Sequence, residues 1–363
     1  GTMAAQRATA EDFTSTTNLL NYFASISLCC ATGRGIGKRQ AMALWPMLAW
    51  LPPSVAGAGT APQATSWTIP YKVKAAQRLG FGWLMAQGVV PIVPSGLYDE
   101  AVDIAAAWPA YSGFTGLNKT LFYGHPNDYA DVFQFIGRHG ETLFDNFEIA
   151  PSAAMVVPII TSYWGGASGG RHYDYVNSYC RPLVTANVPF VLLPVGGVSL
   201  YIPTSTYDLT QYQAVFKTEV DGWYGSWNAA VPTGVNVRAP SALAGSLTAY
   251  APITITGATD GTRPVLAIPR MRSDGKALAI HLVNTNSCDY SASSGAGAAN
   301  ATQSALRLAI KPWAMLSRGI RTATFWQPGQ FGGVACAVEP GGSGATIRVP
   351  PLTEWAVLLV EFT

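Results

Sequence analysis

Ala277-Leu-Ala-Ile-His-Leu-Val283 is a short apolar run that follows the turn residues Asp274-Gly275 and ends at Asn284. Similar runs recur from about residue 250 to the end of the chain, separated by glycine, asparagine, aspartate, serine and proline. Short strands with turn signals at this spacing are typical of an antiparallel β-sandwich. We therefore expect a C-terminal β-sandwich over residues 236–363, with strands at Ala251–Ile255, Val265–Pro269, Ala277–Val283, Ala305–Ile310, Thr322–Trp326, Val334–Val338, Ala345–Val349 and Trp355–Phe362.

The first 235 residues have a different pattern, in which helices and buried strands alternate. This α/β alternation favours a parallel sheet or part of a (β/α) barrel. A complete eight-fold barrel needs about 250 residues, so we expect a barrel-like domain over residues 1–235 that is incomplete. The strands are predicted at Ser25–Ala31, Phe81–Val93, Met155–Thr161 and Phe190–Pro194, and a helix is predicted at Tyr173–Leu183.

The composition excludes several classes of protein. Hydrophobic residues make up 49% of the chain and charged residues only 12%, which is about half the usual charged share and excludes a disordered chain. The net charge is +2 with scattered basic residues, so we expect no nucleic-acid partner. No apolar run reaches the roughly 18 residues of a membrane helix, so no membrane span is expected. Low charge and 37 glycines suit a protein packed outside the cell or in its envelope, as a homo-oligomer or part of a larger assembly.

No metal or cofactor is predicted. The five cysteines form no Cys-x-x-Cys pair, and the four histidines show no His-x-His or His-Glu-x-x-His spacing. Cys288 and Cys336 both lie in the predicted sandwich. They could bridge its sheets, and they could equally be buried free thiols.

A glycine-rich segment, Ala31-Thr-Gly-Arg-Gly-Ile-Gly37, is the one motif that suggests a nucleotide. It follows a predicted strand and precedes a predicted helix, which is where a phosphate-binding loop would lie. It resembles a shortened short-chain dehydrogenase fingerprint, but that family's Tyr-x-x-x-Lys pair is absent from the chain. A tight turn between strand and helix is the better interpretation, and a nucleotide-dependent oxidoreductase is the weakest of the functional hypotheses.

Carboxylates and aromatic residues carry the main functional hypothesis. Glycoside hydrolysis needs two carboxyl groups, one protonated and one ionised, beside aromatic rings on which sugars stack. Phe144-Asp-Asn-Phe-Glu148 places Asp145 and Glu148 in an aromatic setting, and Asp99 follows a turn that closes a predicted strand. The alternative is that Asp99 caps a helix and that Asp145 and Glu148 lie on a solvated face.

Four residues are candidate sugar contacts. Trp83 lies in one predicted buried strand. Trp164, His172 and Tyr173 follow another predicted strand, and the C-terminal ends of the strands carry the active site in a β/α barrel. The set is therefore Trp83, Trp164, Tyr173 and His172 for substrate binding, with Glu148 as proton donor and Asp99 or Asp145 as the ionised partner.

The chain also resembles the C-terminal part of barrel-type glycoside hydrolases, dextranase-like and related bacterial enzymes. The resemblance extends over residues 70–200 and 300–363. Its motifs include Phe122-Tyr-Gly-His-Pro-Asn-Asp-Tyr-Ala-Asp-Val132 in the α/β part and Leu306-Arg-Leu-Ala-Ile-Lys-Pro-Trp313 and Trp326-Gln-Pro-Gly329 in the sandwich. It implies a barrel closed by a β-sandwich and activity on an oligo- or polysaccharide. The competing hypothesis is a non-catalytic glycan-binding or structural assembly protein of the cell surface.

Overall fold

The computed structural model describes the chain in separate segments. The described residues are 16–35, 42–43, 70–89, 91–92, 129–158, 175–195, 206–217, 237–238, 243, 245–258, 264–287, 302–315, 318–341 and 344–363. Their α-helices are α1 (Thr16–Gly35), α2 (Pro70–Ala86), α3 (Ala130–Arg138) and α4 (Arg181–Thr185). The π-helical segment Gly140–Phe144 follows α3, and Tyr175–Cys180 leads directly into α4.

The strands are short and lie mostly in the second half of the chain. In chain order they are β1 (Met42–Ala43), β2 (Pro91–Ile92), β3 (Phe147–Ile149), β4 (Ala153–Pro158), β5 (Phe190–Val195), β6 (Ala214–Lys217), β7 (Val237–Arg238), β8 (Ile253–Thr256), β9 (Val265–Arg272), β10 (Ala277–Asn284), β11 (Arg307–Ile310), β12 (Ile320–Trp326), β13 (Val334–Ala335), β14 (Val338–Gly341), β15 (Gly344–Arg348) and β16 (Trp355–Phe362).

Two antiparallel sheets form the C-terminal part. One has the strand order β13-β12-β16-β10-β9-β3 and the other the order β14-β15-β11-β8. A buried core that includes Leu278, Ile280, Leu308 and Ile347 joins the two sheets. Seven of the eight predicted strands are confirmed, whereas the predicted strand Val334–Val338 corresponds to two strands, β13 and β14, which lie in different sheets. Side chains of β10 alternate between this core and the opposite face of the sheet. One strand, β3, comes from the segment that the sequence assigned to the first domain.

The α/β part contains an open parallel sheet. Its order is β5-β4-β6-β7, and every neighbouring pair is parallel. The two strands that follow β4 in sequence lie on opposite sides of it, whereas consecutive strands of a (β/α) barrel lie side by side. The described strands therefore form a parallel sheet, as one predicted alternative required, and they show no barrel.

The apolar segments of the first two helices differ from their prediction. Ser25–Ala31 lies inside α1, and most of Phe81–Val93 lies in α2 or just after it. Most of α1 and the apolar stretch of α2 over residues 79–86 are buried, since α1 packs against β5, α4 and α2, while α2 also packs against β10. A helical stretch that is apolar on all sides has no amphipathic period, so the sequence does not distinguish it from a buried strand.

Two glycines allow these helices to pack closely. A Cβ atom at Gly82 of α2 would lie 2.5 Å from Cγ of Trp355, and one at Gly35 would lie 1.8 Å from the carbonyl oxygen of Leu192 in β5. Distances under 3 Å are hard clashes. Glycine at position 82 therefore lets the indole of Trp355 lie directly on the backbone of α2.

A helical layer covers the outer face of the six-stranded sheet. Phe135 of α3 and Phe144 of the π-helical segment contact Trp355, with ring centroids 5.4 and 6.1 Å apart. Phe144 also contacts the His281 ring at 5.8 Å. The aromatic core thus joins α2, α3 and the sheet, and it continues to the parallel sheet through α1.

The other predictions about the chain have simple outcomes. Cys336 is half-buried with a free thiol, in line with the free-thiol alternative, and Cys288 lies outside the described residues. Among the described helices, none is long and apolar enough to cross a membrane.

Candidate functional site

Asp145 and Glu148, the predicted catalytic pair, lie where the π-helical segment Gly140–Phe144 is followed by β3. The π-helical segment ends at Phe144 and Asp145 follows it, Asn146 has a left-handed backbone with φ of 61°, and β3 begins at Phe147. Asparagine tolerates this conformation better than most residues. The turn therefore brings two carboxylates, three residues apart, to the start of one strand.

The side chains in this turn divide between the core and the solvent. Phe144 and Phe147 are buried, whereas Asp145 and Glu148 are exposed. This division explains the aromatic pattern that singled out the segment, because the rings pack into the core and the carboxylates face away from it. The carboxylates do not lie in the aromatic setting that the sequence predicted.

The pair lies at the edge of the six-stranded sheet. β3 is the last strand of the order β13-β12-β16-β10-β9-β3, and Glu148 is opposite Met271 of β9. Arg270 of β9 donates hydrogen bonds to the carbonyl oxygens of Phe144 and Phe147. These bonds attach the turn before β3 to the neighbouring strand β9. Among the described strands only β9 pairs with β3, so Glu148 lies on an edge strand and Asp145 lies in the turn before it.

Trp83 is a core residue, and its prediction as a sugar-stacking residue is wrong. Its side chain is 0% exposed, its ring stacks on Phe23 at 5.1 Å, and its indole nitrogen donates to the carbonyl oxygen of Phe23 and to Oγ of Ser27, each at 3.0 Å. Trp83 thus joins α2 to α1. Asp99, Trp164, His172 and Tyr173 lie outside the described residues.

A second group of carboxylates surrounds Arg78 of α2. Its guanidinium donates two hydrogen bonds of 2.7 Å to Asp131 of α3 and one of 2.7 Å to Glu354, which precedes β16. Burial alone would raise the pKa of Asp131, but the hydrogen bonds and charge of Arg78 lower it below its usual value. Asp131 is therefore ionised and neutralised by Arg78, so the group joins α2, α3 and β16 and does not form an acid–base pair.

The glycine-rich segment is the end of a helix. Gly33 and Gly35 belong to the last turn of α1, where the helix dipole is negative and disfavours phosphate. Arg34 donates to Oε1 of Gln87 at 3.1 Å and to the carbonyl oxygen of Phe190 at 2.9 Å. The crevice beside Arg34 is too tight to hold a water molecule. The predicted turn between strand and helix is wrong here, and the described residues give the nucleotide hypothesis no support.

The described residues contain no group of three or more histidine, cysteine or acidic side chains that could hold a metal ion. The two described histidines are both in the helix–sheet interface. Burial and the charge of Arg270 lower the pKa of His281 well below its usual value, and neither of its ring nitrogens has a hydrogen-bond partner. Burial and the charge of Arg138 also lower the pKa of His139. Both histidines therefore favour the neutral form.

The sequence pattern missed one surface, at the turn between β12 and β13. Phe331 is 89% exposed and Val334 is 42% exposed, and they are the large exposed hydrophobic side chains of the described residues. The available sequence signal was an aromatic residue enclosed by Gly329, Gly332 and Gly333, a place where a ring has little to pack against.

The comparisons with known proteins found structural likeness only. No protein-family model and no curated protein matches the chain. The solved structure of α-L-fucosidase isoenzyme 2 from Paenibacillus thiaminolyticus matches 93% of this chain and 62% of its own, with a TM-score of 0.51 and 8% identity. The β-galactosidase from Rahnella sp. R3 matches 94% of this chain and 58% of its own, with a TM-score of 0.39 and 10% identity.

The chain thus spans less than two thirds of the length of either solved structure. The match to the fucosidase extends over nearly all of this chain, so it covers the α/β part together with the antiparallel sheets. At 8% identity the likeness is one of fold alone. The chain therefore shares its fold with the part of the α-L-fucosidase that it matches.

Proposed function

We propose that the chain is a carbohydrate-active protein that acts on an oligo- or polysaccharide. The observation that carries this proposal is the likeness of fold to the α-L-fucosidase over almost the whole chain. A dextranase-like specificity belongs to the same proposal, through the resemblance in the α/β and sandwich segments. Dextran and α-L-fucosides are therefore the first substrates to test.

For hydrolysis, we propose Glu148 as proton donor and Asp145 or Asp99 as the ionised partner. Asp145 in the turn before β3 and Glu148 within β3 are both exposed and lie three residues apart. Separations of roughly 5–10 Å between two carboxyl groups suit the two mechanisms of glycoside hydrolysis. Trp164, His172 and Tyr173, which follow β4 in the chain, are the proposed sugar contacts. They follow a strand at which the order of the parallel sheet reverses, and ligands of open α/β sheets bind beside such points.

Glu148→Gln tests the hydrolytic assignment. It removes the transferable proton with little change in shape, so release of reducing ends is expected to fall by at least about a hundredfold. Glu141→Gln is the matched control, because Glu141 is another exposed glutamate of the same segment and is expected to leave turnover unchanged. Unchanged turnover in Glu148→Gln would remove Glu148 from the mechanism.

A non-catalytic glycan-binding or cell-surface assembly protein is the second candidate. The observation that favours it is that Asp145 and Glu148 lie on an open sheet edge, with their side chains exposed. Binding of a glycan without release of reducing ends is the expected result for this candidate. An extracellular or envelope location and a homo-oligomeric or larger assembly are further proposals, to be tested by fractionation of the source cells and by sedimentation.

A further inference from the structure

The turn between β12 and β13 lies beside the end of α3. The ring of His139, which follows α3, contacts the ring of Trp326 at the end of β12, with centroids 4.8 Å apart. The guanidinium carbon of Arg138 lies 5.4 Å from the centroid of the Phe331 ring. These two contacts bring four side chains from two elements to one surface.

Phe331 is presented to solvent by its backbone. Gly329 has a φ of 82°, a conformation that favours glycine, and a Cβ atom at Gly333 would lie 2.5 Å from the indole ring of Trp326. The turn is therefore pressed against Trp326 on one side, and the Phe331 ring projects away from it with 89% of its surface exposed. The Phe331 ring therefore offers a flat apolar face to a ligand at this turn.

Three polar side-chain atoms at this surface have no hydrogen-bond partner within the part of the chain that the structure describes. They are Nε2 of His139, Nε1 of Trp326 and Oε1 of Gln330, and each of these atoms is buried. The His139 side chain as a whole is nine-tenths buried. Buried polar atoms are nearly always paired, so unpaired atoms grouped beside an exposed ring indicate a place for a polar ligand.

The chemistry of this surface fits a sugar ring. A pyranose has an apolar face of C–H groups that stacks on an aromatic ring, and hydroxyl groups at its rim that both donate and accept hydrogen bonds. The indole N–H of Trp326 and the guanidinium of Arg138 supply donors, and the Gln330 amide oxygen supplies an acceptor. An apolar protein partner would leave these groups unpaired, which costs free energy.

We propose that Phe331, Arg138, His139, Trp326 and Gln330 form a pyranose-binding subsite. This inference rests on the proposed function, since it adds a glycan contact to a carbohydrate-active protein. β13, which follows Phe331, and β3, which carries Glu148, are opposite edges of the same six-stranded sheet. Arg138 and His139, by contrast, lie next to the π-helical segment that leads to Asp145. The subsite therefore extends from the turn between β12 and β13 towards the proposed catalytic residues.

The test is calorimetric titration of the full chain with three probes, a dextran oligosaccharide, a fucosylated oligosaccharide and an oligouronide. For the probe that binds, Phe331→Ala is expected to weaken the affinity about tenfold, and Phe331→Trp to retain it. Trp326→Phe keeps an aromatic ring but removes the N–H donor, and is expected to weaken affinity about fivefold. Val334→Ala is the control, since it trims another exposed apolar residue of the same turn and is expected to change nothing.

The outcomes separate the subsite from the proposed function. Binding by the wild type that is unchanged in Phe331→Ala would overturn the subsite and leave the proposed function standing. A change in sedimentation of Phe331→Ala with unchanged glycan affinity would identify the turn as a contact between copies of the chain and overturn the subsite too. If the wild type binds none of the three probes, both the subsite and the proposed function would be overturned.

Discussion

Acidification from about pH 8 to about pH 5.5 is expected to destabilise the protein through His281, which is 0% exposed on β10. Burial and Arg270 hold the pKa of His281 well below its usual value, whereas the unfolded chain binds a proton near pH 6.5. In this pH range the unfolded state therefore binds more protons than the folded state, so the free energy of unfolding falls as the pH falls.

The magnitude follows from the proton that only the unfolded state takes up. With an unfolded pKa of about 6.5 and a folded His281 that stays neutral, the free energy of unfolding falls by about 1.4 kcal/mol between about pH 8 and about pH 5.5. His139 adds a change of the same sign, because its pKa is also lowered. Carboxylates with lowered pKa values, such as Asp131, lose their contribution only at lower pH.

Urea unfolding at several pH values measures this dependence. In His281→Phe and His281→Leu, the free energy of unfolding is expected to change less between about pH 5.5 and 8 than in the wild type. The difference is the contribution of His281, whatever the absolute stability of each variant. Two substitutions are used because one of them could pack poorly beside Phe144 and Trp355. An unchanged slope in both variants would refute the assignment of His281 as a buried neutral histidine.

Two further predictions concern packing and buried hydrogen bonds. Gly82→Ala is expected to lower the free energy of unfolding by at least about 2 kcal/mol in a urea titration, because the new Cβ would lie 2.5 Å from Trp355. Gly137→Ala is the control and should be neutral or slightly stabilising, because a Cβ at Gly137 would meet nothing within 4 Å. Arg270→Met is expected to lower the free energy of unfolding by about 3 kcal/mol, because it removes the hydrogen bonds that Arg270 donates to three carbonyl oxygens. Arg272→Met, at an exposed ion pair, should lower it by less than about 1 kcal/mol. Equal stabilities within either pair of variants would contradict these assignments.

The strands of the C-terminal part were predictable because each is short and ends at turn-forming residues. β10 and β16 match their predicted ranges within one residue. In the α/β part, β5 was also found, since Phe190–Pro194 is a compact apolar run after a helix. The choice between a barrel and an open sheet was not predictable from the alternation of helices and strands. It depends on the order of the strands in the sheet, which the local sequence pattern does not encode.

The two buried helices explain the main error. Phe81 and Trp83 lie in the apolar stretch of α2 over residues 79–86, which packs against α1 and against the six-stranded sheet, so this part of the helix has no polar face. The apolar run was consequently assigned to a strand, and Trp83 was assigned to a sugar site. The hydrogen bonds of its indole to Phe23 and Ser27 depend on the packing of α1 against α2, which the local sequence does not contain.

The candidate site was predictable only in part. The aromatic residues around Asp145 and Glu148 identified a real structural junction, but the rings face the core and the carboxylates face solvent. Phe331 was missed because a single aromatic residue among glycines has no periodic pattern. Its contact with Arg138 joins residues far apart in sequence and depends on the fold.

The most direct test of the carbohydrate-active proposal is a glycan panel on the purified chain that records binding and release of reducing ends from the same samples. Binding of at least one glycan, with release that Glu148→Gln abolishes and Glu141→Gln retains, is the result that the proposal predicts for a hydrolase. Binding without release would support the glycan-binding candidate. Absence of both, across dextran, α-L-fucosides and uronic-acid glycans, would contradict the proposal that the protein acts on carbohydrate.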